Sequence, residues 1–469
     1  MAQSILKITF MRRRFTKTFL RLTLLFILTA FLSKSSEAQY VFSNDSLYKA
    51  GVENTGRLWG YAFGDFAYKS HADSLTRGNA NQYTGIPANR NEFAFRRIYL
   101  GYDYNINKKF SASILLAAED NFPAGSPPAN GTVVLNANGS STGDLTLNNK
   151  LTFYIKNAFL RWKGIWKGTD LLVGQFATPS FPELSEKVWS YRSIERTIID
   201  IRRTGSYDLG LGLQGTFDPA TKNFGYDLMV ANGTGDRPDN TQYKWFYGDV
   251  YAYFAHKHVV IDFYADYQKL NWTPYWHHSR QMIKGFLAWN SSANDKSMNP
   301  GTGYTIGVEG FINNLKNDNF ASKISGGTDT LSTAPSGLSL YIHGDIVKNK
   351  LRFFARYDMY NPFNKVNQSV YTKYAGNTGN YNDNSFHTTY GYNAGGQNQV
   401  TYVSTGDQTY KQQFITAGLD FKPSARIHFM PNVWYNSYSS QIASNKDHDL
   451  VWRLTFFFSF GKNYDNGGF

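Results

Sequence analysis

Segments of about ten residues, repeated along most of this chain, alternate large apolar side chains with small or polar ones. In Gly337–Val347, Leu338, Leu340, Ile342 and Ile346 share a face, while Ser339, Tyr341, His343 and Asp345 share the other. In Lys350–Tyr360, Leu351, Phe353, Ala355, Tyr357 and Met359 oppose Arg352, Phe354, Arg356, Asp358 and Tyr360. In Asp449–Phe460, Leu450, Trp452, Leu454, Phe456, Phe458 and Phe460 oppose Arg453, Thr455 and Ser459. A period of two belongs to strands, and a helix of 3.6 residues per turn cannot use it.

The pattern predicts strands over 57–69, 92–104, 110–119, 151–162, 170–177, 206–217, 224–231, 246–255, 258–268, 302–313, 319–325, 337–347, 351–360, 409–421, 426–438 and 448–461, and places 281–290 in a loop. Short joints such as NINKK, DPATKN, HK, KNK and KPSA take strict turns with long ones at 70–91, 120–150, 178–205, 232–245, 269–301, 326–336, 361–408 and 439–447. Sixteen antiparallel strands with tight turns at one end and long loops at the other describe an all-β transmembrane barrel of a bacterial outer membrane. Lipid offers no water to an open sheet edge, so the wall must close, with its apolar face outward. Tyr61, Trp162, Trp166, Tyr247, Trp272, Trp434 and Trp452 stand at strand ends, where interface aromatics are expected.

Composition agrees. Of 469 residues, 17% are aromatic and 18% charged, and there is no cysteine, which excludes disulfides and thiol chemistry. Mean hydropathy is −0.44 and no apolar run reaches the length of a membrane-crossing helix. Arg12, Arg13, Arg14, Lys17 and Arg21 precede an apolar run from Leu22 to Leu32, and Ser36-Glu37-Ala38 supplies a cleavage site, so 1–38 reads as a signal peptide. Residues 39–56 then form a periplasmic lead-in and 57–469 the barrel. The leader holds seven cations against one anion, so +6 of the net +13 leaves with it. The remainder is too dilute for a nucleic-acid partner.

Gly210-Leu211-Gly212-Leu213-Gln214-Gly215 matches G-x-G-x-x-G, but strand alternation runs straight through it and DPATKN follows as a turn. A dinucleotide site needs a helix there, so these residues read as wall, with the leucines outward and the glycines giving room inside.

The third long loop, 173–203, sets Leu184, Val188 and Tyr191 at helical spacing after Pro182-Glu183, and Glu183 and Glu186 favour a helix N-terminus. Together with Gly174-Gln175-Phe176, Pro179, Ile194-Glu195-Arg196, the glycine-rich Leu209–Gly215 and the hairpin at 95–114, this segment resembles the phosphate-selective porins O and P. The resemblance implies a trimer, passive uptake of small hydrophilic solutes, and basic side chains that attract anions. Lys187, Arg192, Arg196, Arg202 and Arg203 would then surround a constriction made by a loop folded into the lumen. Against them stand Glu183, Glu186, Glu195 and Asp200.

Alternation turns Arg97, Arg161, Arg352, Arg356 and Arg453 inward, along with Asp103, Asp262, Asp266, Glu309, Asp345 and Asp358. Mixed signs predict at most a modest preference for anions such as phosphate. His256, His258, His277 and His278 have no acid or third histidine at ligand spacing and read as exposed turn and loop residues, so no metal is expected. No G-x-S-x-G nucleophile is present, and neither catalysis nor a cofactor is implied. The sequon Asn130-Gly131-Thr132 has no role in a bacterium. The Asn-, Tyr- and Gly-rich 361–408 loop also suits an adhesive or structural surface protein, which is the second class of function carried forward.

Overall fold

Pleated segments with unlike faces need unlike surroundings, and here the apolar faces stay on the outside. The computed structural model describes residues 53–74, 83, 86–119, 133–135, 141–147, 150–180, 184–202, 206–235, 239, 242–273, 276–292, 303–323, 328–362, 371–373, 410–440 and 446–465. The leader 1–38, most of the lead-in, the sequon and nearly all of 361–408 lie outside the described residues.

Sixteen strands form one antiparallel wall. They are β1 (Thr55–His71), β2 (Asn91–Asn105), β3 (Phe110–Glu119), β4 (Tyr154–Trp166), β5 (Thr169–Ala177), β6 (Tyr207–Thr216), β7 (Phe224–Ala231) and β8 (Trp245–Phe254). The second half holds β9 (Val259–Thr273), β10 (Trp276–Asn290), β11 (Tyr304–Lys323), β12 (Ser336–Val347), β13 (Leu351–Asn361), β14 (Tyr410–Ser424), β15 (Ile427–Ser440) and β16 (Lys446–Asp465). β1 pairs with β2 and also with β16, from Thr55 opposite Asp465 to His71 opposite Leu450. The sheet is therefore closed and has no wall edge to satisfy.

The two faces differ sharply. Leu211, Phe263 and Ile346 are more than half exposed on the outside, whereas Asp262, Lys284, Thr305 and Arg352 are buried inside. An apolar exterior around a charged interior identifies a barrel of the outer membrane. The stretch Leu209–Gly215 lies in β6 with Leu209 and Leu211 outward. A Cβ on Gly212 would sit 2.6 Å from the Phe176 ring, so this glycine does make room inside.

The strand count is as expected, but one strand differs. Residues 281–290 belong to β10, with Met282, Lys284, Phe286, Ala288 and Asn290 inward and Ile283, Leu287 and Trp289 outward. Apolar residues on both faces hide the alternation there. Residues 319–323 instead prolong β11 past a register shift between Leu315 and Asn319, where Asn317 adopts φ 52°. There the strand pairs with the rim strands Thr328–Thr333 and Tyr371–Lys373. The polar run Asn313–Asn319 resembles a turn in sequence yet stays within the strand, kinked at Asn317. The strict alternation of loop lengths fails at the same place, because β9 and β10 are joined by residues 274–275 and β10 and β11 by 291–303.

The aromatic expectation also divides. Trp162, Trp166 and Trp452 are exposed on the outside, but Tyr61, Tyr247 and Trp434 are buried on inward positions. Strand-end location alone does not reveal which face a residue occupies. The side chain of Trp272 lies outside the described residues.

Candidate functional site

The third loop carries α1 (Ser185–Trp189) and α2 (Ile198–Arg202), two single turns in place of one longer helix. Ser190, at φ 60°, ends α1 and donates its N–H to the Glu186 carbonyl at 2.9 Å. Leu184, Val188 and Tyr191 are all buried, so the apolar spacing marks a docking face. Pro182 and Glu183 lie outside the described residues.

That face rests on inward wall residues. Trp189 packs against Tyr341 of β12 at 5.1 Å, and Tyr191 against Phe354 of β13 at 4.6 Å. His343 lies 3.0 Å from the Val188 carbonyl, and Arg352 donates to its other nitrogen at 3.1 Å, so His343 donates to the loop. The Ile194-Glu195-Arg196 motif supplies the latch. Glu195 accepts from Trp434 Nε1 at 2.9 Å, its carbonyl accepts from Trp189 Nε1 at 2.8 Å, and the Arg196 carbonyl accepts from Arg356 at 2.6 Å. Arg96 of β2 donates to the Ser193 carbonyl at 2.8 Å. Loop partners therefore lie on β2, β12, β13 and β15.

The Gly174-Gln175-Phe176 motif has a structural reason. Gly174 has φ +129°, and a Cβ there would lie 2.4 Å from the Ala158 carbonyl. Gln175 Nε2 donates to the carbonyls of Ile155 and Lys156 at 3.0 and 2.9 Å, and so caps an irregularity in β4.

Five of the candidate cations face a carboxylate. Arg192 lies 2.6 Å from Asp200 and 3.1 Å from Glu186. Burial raises the Glu186 carboxyl above its usual range despite Arg192. Burial also pushes Asp200 upward, but Arg192 and Arg196 outweigh it and hold that carboxyl low. Burial lowers Arg196. On the wall, Arg97 meets Glu119 at 3.4 Å, Arg161 meets Asp170 at 3.1 Å, and Arg352 meets Asp345 at 3.0 Å. Arg356 holds Asp358 through two bonds, of 2.8 and 2.5 Å. Arg453 differs: its Nε donates to Asn432 at 2.7 Å and its guanidinium lies 5.6 Å from the Tyr83 ring, while its terminal nitrogens have no hydrogen-bond partner. Arg202 stacks over Tyr360 at 3.9 Å, and Lys187 is partly buried. Arg203 lies outside the described residues.

Of the acids expected inside, Asp103 accepts from Ser113 at 2.7 Å, Asp266 from Tyr264 at 2.5 Å, and Asp262 from Lys284 at 2.8 Å, while Glu309 is buried. None of Arg97, Arg161, Arg192, Arg352, Arg356 and Arg453 is more than 9% exposed, so the interior at loop height is tightly filled. A small cavity remains where Glu195, Ile198 and Arg202 face Asp358, Tyr360 and Gln412.

Sequence alternation misses several interior cations. Arg96 and Lys156 occupy bulges, opposite the Phe63/Gly64 and Leu115/Leu116 steps, so two consecutive residues turn inward. Lys156 reaches Glu119, and Arg96 reaches Asp65 at 3.1 Å. Lys284 and Arg280 were hidden with β10. Among the histidines, His256 is exposed in the β8–β9 turn, as expected, and His258 in the same turn is half-buried against the Asn290 carbonyl, but His277 and His278 lie in strand β10 rather than in a loop, His277 exposed and His278 fully buried.

No family model and no curated protein matches this chain. Solved structures do match in fold. The outer-membrane channel DcaP of Acinetobacter baumannii is 12% identical with a TM-score of 0.52, covering 88% of this chain and 100% of that one. OprB of Pseudomonas putida, in a high-pH structure, is 11% identical with a TM-score of 0.50, covering 91% and 100%. The chain thus has a porin-type fold.

Proposed function

We propose that this chain is an outer-membrane channel for passive diffusion of small hydrophilic solutes, narrowed by its third loop. The observation that carries the reading is the latch of Trp189, Glu195 and Arg196 onto inward residues of the wall. A charged interior suits water and ions, and a loop across it sets the size limit. Preference for anions such as phosphate is weak in this reading, because Arg97, Arg161, Arg192, Arg352 and Arg356 each face a carboxylate. Arg453, whose terminal nitrogens have no hydrogen-bond partner, supplies what bias there is. The channel works as a homotrimer without cofactor or catalysis.

The tight interior favours a second reading, a filled barrel with an adhesive or structural surface role. Liposome swelling separates the two: a channel admits small sugars at rates that fall with solute size, and a filled barrel admits none. Reversal potentials in a salt gradient test selectivity. A small anion preference is expected, and a clear cation preference contradicts it.

A further inference from the structure

We infer that His71, Asp447 and His448 form a binding site for a divalent transition metal of the zinc class, at the long-loop rim where β1 meets β16. The two histidines stand 377 positions apart in the chain, and closure of the barrel brings them together. One ligand atom from each of the three residues lies within 4.8 Å of the other two. His71 Nε2 is 3.7 Å and His448 Nδ1 is 3.8 Å from Asp447 Oδ1. Zinc bonds of about 2.0–2.2 Å space tetrahedral ligand atoms roughly 3.4 Å apart, so a contraction of about an ångström with a turn of one ring completes the set.

The surroundings prepare these atoms as ligands. His71 Nδ1 faces the His448 carbonyl at 2.7 Å, which places the proton on Nδ1 and leaves the Nε2 lone pair free. Asp447 Oδ2 accepts the Ser74 N–H and Oδ1 the His448 N–H, both at 2.8 Å, which fixes the carboxylate with a second lone pair of Oδ1 beside the rings. The imidazoles stack in parallel at 3.9 Å, and because each lone pair lies in its ring plane, one ring must turn out of the stack for both to meet a single ion. Side-chain exposures of 44% for His71, 34% for His448 and 20% for Asp447 leave a path for the ion and room for water as fourth ligand. Two imidazoles and a carboxylate suit zinc or copper rather than calcium or magnesium. A bound ion would clip the first strand to the last.

The test uses the full folded barrel in detergent, stripped of metal and dialysed against Zn²⁺. One ion per chain is expected. His71→Ala, Asp447→Asn and His448→Ala should each weaken binding by at least the roughly ten-fold that even an outer-shell change costs. A control with both His256→Ala and His258→Ala should bind as the parent does. Unchanged affinity in the rim variants, or an equal loss in the control, overturns the site. Should a rim variant fail to fold, Cu²⁺ electron paramagnetic resonance on the unaltered chain decides. Coupling to two ring nitrogens supports the site, and coupling to one or none overturns it.

Discussion

At the scale of the residue, interior charge is organised in short pairs, and inward position decides which residues can pair. Arg161 and Arg356 were legible because alternation is unbroken around them, and Arg97 and Arg352 because they keep the parity of their strands although each borders a register shift. Arg96 and Lys156 were not, because a bulge turns neighbouring residues the same way and no period of two reports it. Arg356→Gln leaves Asp358 buried beside a neutral partner, and is expected to cost about 3 kcal/mol or more in urea unfolding. Asp218, half-buried in the β6–β7 turn, accepts hydrogen bonds from Thr216, Thr221, Asn223 and Phe224. Desolvation pushes its carboxyl upward, but these bonds together outweigh it and hold the carboxyl below the usual range. A depressed acid contributes its stability above the unfolded pKa near 4 and loses it as pH falls through the folded value. Melting of Asp218→Asn against the parent should show a deficit at neutral pH that closes in this acid window.

At the scale of the element, the third loop behaves as a latch built from aromatic rings and backbone acceptors. The sequence revealed its docking face through Leu184, Val188 and Tyr191, and its latch through Ile194-Glu195-Arg196. It did not reveal the receiving wall residues, because Tyr341, Phe354 and Trp434 come from strands far away in the chain. Strand β10 was obscured for a different reason, since Met282, Phe286 and Ala288 put apolar residues on its inner face as well as its outer one. Trp189 is fully buried between loop and wall, so Trp189→Ala should weaken docking by about 3–5 kcal/mol. Hydrogen exchange across 184–202 should then quicken while exchange in the strands stays slow.

At the scale of the whole molecule, one closed sheet separates lipid from a charged interior. The closed sixteen-strand wall was legible from the period of two, since lipid permits few other arrangements, although β10 was missed and 319–325 was counted in its place. The filling of the interior did not, since it depends on which cation meets which acid across the bore. Leu211 lies mid-strand on the outside, and Leu211→Arg should destabilise the inserted barrel by about 2–4 kcal/mol, measured by unfolding in lipid. The most direct measurement is single-channel conductance in planar bilayers for the parent and for Trp189→Ala. The account predicts small, voltage-independent steps in the parent and clearly larger ones once the latch is released. Silence from both, or steps of equal size in both, would contradict it.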